Sequence, residues 1–206
     1  MLLQTLVKIS AVNNLSDARY GAGMGVAMMG FPLDQEHPHY LSPEQFQAIA
    51  QWVQGVAMVG ELTTTDPKVI QQTLEQYALD YLQLDDPVMP ASLQAWEVPV
   101  LIRLRLQGNE SLDDLQRCME AYTPYIKYFL LEAASQNEAA LAKLQPTIHQ
   151  LAQHFPILQG YYVTPDNLTQ LLASPLKGVA LQGGSETKPG YKNFDELAAV
   201  LERLAE

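Results

Sequence analysis

Cysteine is nearly missing from this 206-residue chain: Cys118 stands alone, which excludes an internal disulfide and any multi-cysteine metal site. Positive charge is scarce as well. Lysine and arginine number 12 against 23 aspartates and glutamates, for a net charge of −11. That balance argues against nucleic acid and anionic membrane as partners, because phosphate backbones demand a basic face. No apolar run approaches the roughly 20 residues that a membrane span needs. The opening Met1-Leu2-Leu3-Gln4 is soon broken by Lys8 and has no basic region ahead of a long apolar one. No signal peptide is expected, and a cytoplasmic protein fits. Glycine is missing from the first turn, Ser10-Ala11-Val12-Asn13-Asn14, where an open dinucleotide-binding sheet would carry it.

What the chain does have is alternation. Short apolar, β-prone runs lie around Leu6–Ser10, Val26–Phe31, Val56–Gly60, Tyr81–Leu84, Val98–Leu104, Ile126–Leu131, Pro156–Gln159 and Gly178–Leu181. A helix-like stretch follows each of these eight runs, the fourth being weak. Ser42-Pro43-Glu44-Gln45 has the pattern of a capping box with proline at the first helical position. Phe46, Ile49, Ala50 and Val53 then share one helical face. Asp66-Pro67 opens another helix with Val69, Ile70, Thr73, Leu74 and Tyr77 facing inward, and Thr164-Pro165 opens one that buries Leu168, Leu171 and Leu172. Strict alternation of strand and helix implies parallel strands with crossover helices. Eight units and no change of composition along 1–206 predict a single α/β domain, a (β/α)8 barrel at the short end of its size range.

The site of such a barrel lies at the C-terminal ends of its strands. The residues to question are therefore Ser10, Glu61, Asp85, Arg103, Arg105 and Glu132, the Gly160-Tyr161-Tyr162 segment, and Gln182-Gly183-Gly184-Ser185. Period-two alternation puts Lys8 on the same side as Ser10, and Gln83 with Asp85. Gly183-Gly184-Ser185 offers backbone N–H groups and a hydroxyl to a phosphate, or is a plain turn before the last helix. Gly21-Ala22-Gly23-Met24-Gly25 reads as a helix-to-strand turn, because its third glycine is misplaced for a dinucleotide loop. His37 and His39 lack further ligands at metal-binding spacing, so no metal is expected. His149 and His154 read as surface residues, and Cys118 as a packing residue.

Val7-Lys8-Ile9-Ser10-Ala11, followed by Asn14-Leu15-Ser16-Asp17-Ala18, resembles the opening of the phosphoribosylanthranilate isomerase family, V-K-I-C-G then N-L-x-D-A. The likeness continues in one register. Gly30-Phe31 matches G-F, Tyr40-Leu41-Ser42-Pro43-Glu44 matches Y-[IV]-S-P-E, and Gln83-Leu84-Asp85 matches Q-L-H. Ile102-Arg103 matches I-K, Leu130-Leu131-Glu132 matches L-L-D, and Thr164-Pro165-Asp166-Asn167 matches T-P-E-N. The resemblance implies a barrel that performs an Amadori rearrangement in tryptophan biosynthesis. The ribose ring of phosphoribosylanthranilate opens and a proton leaves C2′, with no metal or organic cofactor. It places a general base at Ser10, a general acid at Glu132 and a substrate contact at His39; the strand-end positions Lys8, Gln83, Asp85 and Arg103 are the further substrate contacts expected at the mouth. Phosphate would lie against Gly160, Gly183, Gly184 and Ser185.

The departures fall where chemistry is expected. The family's base cysteine is Ser10, its acid aspartate is Glu132, and the arginine before the tyrosine is His39. The glycine-lysine segment after the sixth strand is replaced by Ala133-Ala134-Ser135-Gln136-Asn137, and Tyr161 stands where the family has glycine. Impaired or lost isomerase activity is expected. A degenerate barrel that binds a small molecule or a protein stays open, as does an isomerase of another phosphosugar. Monomer and homodimer are both open.

Overall fold

The computed structural model describes residues 2–85, 89–134, 138–183, 185–188 and 191–205. Eight parallel strands close into a barrel in sequence order, with β1 (Leu6–Ser10) hydrogen-bonded to β2 (Met28–Pro32) on one side and β8 (Gly178–Gln182) on the other. Between them run β3 (Ala57–Leu62), β4 (Tyr81–Asp85), β5 (Val100–Leu106), β6 (Tyr128–Ala133) and β7 (Ile157–Gln159). The crossover helices are α1 (Leu15–Gly23), α2 (Pro43–Ala50), α3 (Pro67–Gln76), α4 (Pro90–Leu93), α5 (Leu112–Tyr122), α6 (Glu138–Ala152) and α7 (Leu168–Leu172), and α8 (Asp195–Leu204) closes the ring. The expected (β/α)8 architecture is therefore present, with several strands displaced by one or two residues from their apolar runs.

Local chemistry explains the helix starts. Gln45 N–H donates to Ser42 Oγ (3.3 Å) while Ser42 N–H donates to Gln45 Oε1 (3.0 Å), completing the capping box of α2. Asp66 caps α3 by accepting from Lys68 N–H (2.9 Å). Val69 departs from expectation: it is exposed, because the buried stripe of α3 runs through Ile70 and Thr73 to Tyr77. The helix after β7 also starts later than Thr164-Pro165 implies. Asn167 spends its side chain on the preceding turn, accepting from Thr164 N–H and donating to the Tyr162 carbonyl, so α7 begins at Leu168. Gly21 and Gly23 end α1, as a helix-to-strand turn requires. Cys118 packs against the core and His154 is exposed, but His149 is half-buried with its Nε2 enclosed, contrary to a surface position. An antiparallel hairpin, β9 (Ser185–Lys188) with β10 (Tyr191–Asn193), intervenes between β8 and α8.

Two apolar layers hold the molecule. Strand residues such as Val7, Ile9, Leu82, Leu84, Ile102 and Leu131 face outward against the helices. Inside the barrel, Leu101, Leu130, Leu158 and Ala180 pack with Leu6, Tyr81 and Tyr128. Alternation then fixes the next level toward the C-terminal ends: Lys8 above Leu6, Gln83 above Tyr81, Arg103 above Leu101 and Glu132 above Leu130. The interior changes from apolar floor to polar mouth within one strand repeat.

Candidate active site

On the β1 side of the mouth, Lys8 Nζ donates to Ser10 Oγ (2.7 Å) and to Glu61 Oε1 (2.5 Å). Lys8 is fully enclosed, Ser10 is 1% exposed and Glu61 8% exposed. A buried ammonium requires such a countercharge, since an unpaired charge in a low-dielectric interior is strongly destabilising. The second oxygen of Glu61 accepts from Ala11 N–H (3.1 Å), in a turn where Ala11 has φ 56°. Glu61 thus grips β1 on both sides of Ser10. Gly30 makes this possible, because a Cβ there would lie 1.8 Å from Glu61 Oε1 and 2.7 Å from Lys8 Nζ.

Across the mouth, Arg103 forms a two-pronged contact with Asp85, Nε to Oδ1 at 2.5 Å and Nη2 to Oδ2 at 2.6 Å. Its remaining Nη1 donates to Glu132 Oε2 (3.2 Å), and Arg105 adds a second cation to Asp85 at 2.9 Å. Burial raises the Glu132 pKa above the ordinary carboxylate value, over the opposing pull of Arg103 and Lys8 and with repulsion from Glu61 and Asp85. Gln182, the register partner of Ser10, donates to Glu132 Oε1 (3.4 Å) and so links the two sides. The mouth is locally balanced, with Lys8, Arg103 and Arg105 set against Glu61, Asp85 and Glu132. A cavity of about 520 Å³ opens beside Glu132, lined by Gly160, Tyr161, Tyr162 and Thr164 among others. Gln83 is fully buried on the same inner face, and among the described residues its amide nitrogen and oxygen have no hydrogen-bond partner.

The whole-chain comparisons agree on one relationship. No protein-family model matches the sequence. An N-(5′-phosphoribosyl)anthranilate isomerase from Trichormus variabilis is 27% identical, covering 96% of this chain and 97% of its own. The enzyme of that name from Geobacter sulfurreducens is 25% identical at 96% and 97% coverage. Among solved structures, the phosphoribosyl anthranilate isomerase of Thermus thermophilus superposes with a TM-score of 0.75 at 24% identity, over 97% of this chain and 98% of that one. One phosphoribosyl anthranilate isomerase solved in complex with reduced 1-(o-carboxyphenylamino)-1-deoxyribulose 5-phosphate gives the same TM-score at 20% identity. Over its whole length the chain is similar to phosphoribosylanthranilate isomerases.

In the barrel, the positions expected from the sequence divide into groups. Ser10, Lys8, Gln83, Asp85, Arg103 and Glu132 converge on the mouth. His39 does not join their ion pairs: it is exposed on the β2–α2 loop, its N–H donating to His37 Nδ1 (3.1 Å). Among the described residues no three histidine, cysteine or acidic side chains gather as metal ligands.

The phosphate-side expectation needs correction at Gly183. Its N–H donates to the Ser10 carbonyl (3.0 Å) and is not free for an anion. Ser185 begins the hairpin strand β9 instead of a helix, and Gly184 lies outside the described residues, as do Ser135, Gln136 and Asn137. Gly160 lies tight against Glu132 and Leu130, its Cβ position 3.1 Å from each, so no larger residue fits there without displacing them. Tyr161 lines the cavity and packs into the outer core, with its hydroxyl pKa raised by burial. Glu61 is the residue whose role the sequence concealed. Its signal was a lone carboxylate in the apolar run Val59-Gly60-Glu61-Leu62, but its partner is 53 positions away.

Proposed function

We propose that this barrel isomerises phosphoribosylanthranilate by an Amadori rearrangement, as a cytoplasmic enzyme of tryptophan biosynthesis, at reduced rate. Glu132 protonates the ribose ring oxygen and Ser10 stands on the side from which the C2′ proton leaves. The carrying observation is that Ser10 and Glu132 end β1 and β6 at one mouth, joined through Gln182, in a chain collinear with the family. The raised pKa of Glu132 suits a general acid. Gln83, buried with an amide that has no partner among the described residues, supports a polar ligand in the mouth, as does the local charge balance of the ion pairs. Phosphate is held weakly, because Gly183 N–H is already engaged. A serine hydroxyl is a far weaker base than a thiolate.

A second reading has its own support. Arg103 holds both Asp85 and Glu132, so the acid rests in an ion pair, as a binding barrel without catalysis would allow. The fluorescence of phosphoribosylanthranilate separates the two. Enzyme-dependent loss of substrate signal, with the ketose product identified, supports isomerisation. Saturable binding without loss supports the degenerate barrel.

A further inference from the structure

The buried Lys8–Glu61 pair behind Ser10 is unused by an acid at Glu132 and a hydroxyl at Ser10 alone. We propose that Lys8, kept in place by Glu61, is the proton acceptor for Ser10, so that Ser10, Lys8 and Glu61 form a relay replacing the family's cysteine. This rests on the isomerase reading given above.

The geometry supports it at each contact. Lys8 Nζ is within hydrogen-bond distance of Ser10 Oγ (2.7 Å), and Ser10 is the member of the trio at the C-terminal end of its strand. Serine works as a proton-transfer group when a neighbouring base takes its proton, and lysine fills that role in serine–lysine dyads. Lys8 is enclosed, and within the reaction it exchanges a proton with Ser10, the hydroxyl it touches. Glu61 fixes both the amine and the Ala11 turn. The charged groups facing the trio are Arg103 of β5, which feels Glu61, and Glu132 of β6, which feels Lys8 and Glu61; Asp85 of β4 lies behind them on Arg103, and Asp17 of α1 faces Gly183 beyond the Ser10 carbonyl.

The reactive state holds one proton fewer than the ammonium form, that proton having gone to water, and neutral Lys8 accepts the hydrogen bond from Ser10 O–H. After ring opening, C1′ is a protonated imine of the anthranilate nitrogen. Ser10 Oγ takes the C2′ proton while its own passes to Lys8 Nζ. The C2′–H electron pair becomes the C1′–C2′ double bond, and the C1′–N π pair moves onto nitrogen, neutralising it. Lys8 is left as the ammonium paired with Glu61, and Ser10 as a hydroxyl.

The test is the pH profile of kcat. The wild-type protein is expected to show a limb that rises with pH, and Ser10→Ala is expected to abolish that limb. Glu61→Gln removes the charge that favours the ammonium. It should move the limb to lower pH, the direction expected when a nearby opposite charge is removed from a cation. Lys8→Met should lower kcat at least about a hundredfold with KM little changed. A flat wild-type profile overturns the relay, as does a Glu61→Gln variant that is slower at every pH with an unmoved limb, or a Lys8→Met variant with wild-type kcat. Should the buried-site variants fail to fold by circular dichroism, the wild-type and Ser10→Ala profiles decide. No turnover at any pH overturns the isomerase reading and the relay together, an outcome distinct from turnover with an unmoved limb.

Discussion

Lys8 Nζ and Glu61 Oε1 meet at 2.5 Å inside the barrel, in space that exists only because position 30 is glycine. Gly30→Ala is expected to destabilise the protein by about 1–3 kcal/mol or more, as overpacking forces the pair apart. Gly23→Ala is the matched control: among the described residues nothing lies within 4 Å of its Cβ position, so its stability should be unchanged or slightly raised. Urea denaturation of the two variants measures the contrast.

The same pair yields a double-mutant cycle. Removing one member leaves the other charge buried and unpaired, so Lys8→Met or Glu61→Gln alone should cost about 3–5 kcal/mol. The double variant should cost clearly less than the two singles added, as expected for groups in direct contact. Additive costs would mean that the ion pair contributes nothing specific.

Ala11 holds φ 56°, a left-handed conformation that disfavours any residue with a Cβ by roughly 1–2 kcal/mol. Glycine gives back part of that through the greater freedom of its unfolded chain. Ala11→Gly is therefore expected to stabilise by a few tenths to about 1 kcal/mol. A loss of stability in thermal denaturation would show that the turn is unstrained.

The fold was largely legible in the sequence, and particular residues show why. Alternating apolar runs and the Ser42 and Asp66 caps are local signals, and local signals place strands and helices to within a residue or two. The outer face of α3 was harder: Val69 and Ile70 are adjacent β-branched residues, and only packing against the barrel decides that Ile70 is the buried one. Asn167 had competing uses, and its turn contacts shortened α7. The polar mouth was legible as a set of strand ends but not as a network. Lys8 with Glu61, and Arg103 with Asp85 and Glu132, are separated along the chain and paired by barrel closure. Gly183 shows the reverse case, a glycine well suited to anion binding whose N–H the closure gives to Ser10.

Glu132 makes a pH prediction with a definite sign. Its pKa is raised above the unfolded-chain value, chiefly by burial, so the folded protein holds that proton more tightly. The resulting stability is complete below the unfolded-state pKa and is lost as pH rises through the higher folded-state value. Glu132→Gln removes this component. The melting temperature of the wild type should fall relative to that of the variant as pH rises through the window, and kcat of the variant should drop by about a hundredfold or more. Parallel melting profiles would show that Glu132 titrates normally.

The most direct measurement is steady-state conversion of phosphoribosylanthranilate by the unmodified protein beside a cysteine-bearing phosphoribosylanthranilate isomerase, under identical conditions. A mouth with Ser10 in place of the thiol, backed by Lys8 and opposite Glu132, predicts genuine turnover at least about a hundredfold below that enzyme, and a further fall in Ser10→Ala. Turnover equal to the cysteine enzyme, or none above background, would contradict it.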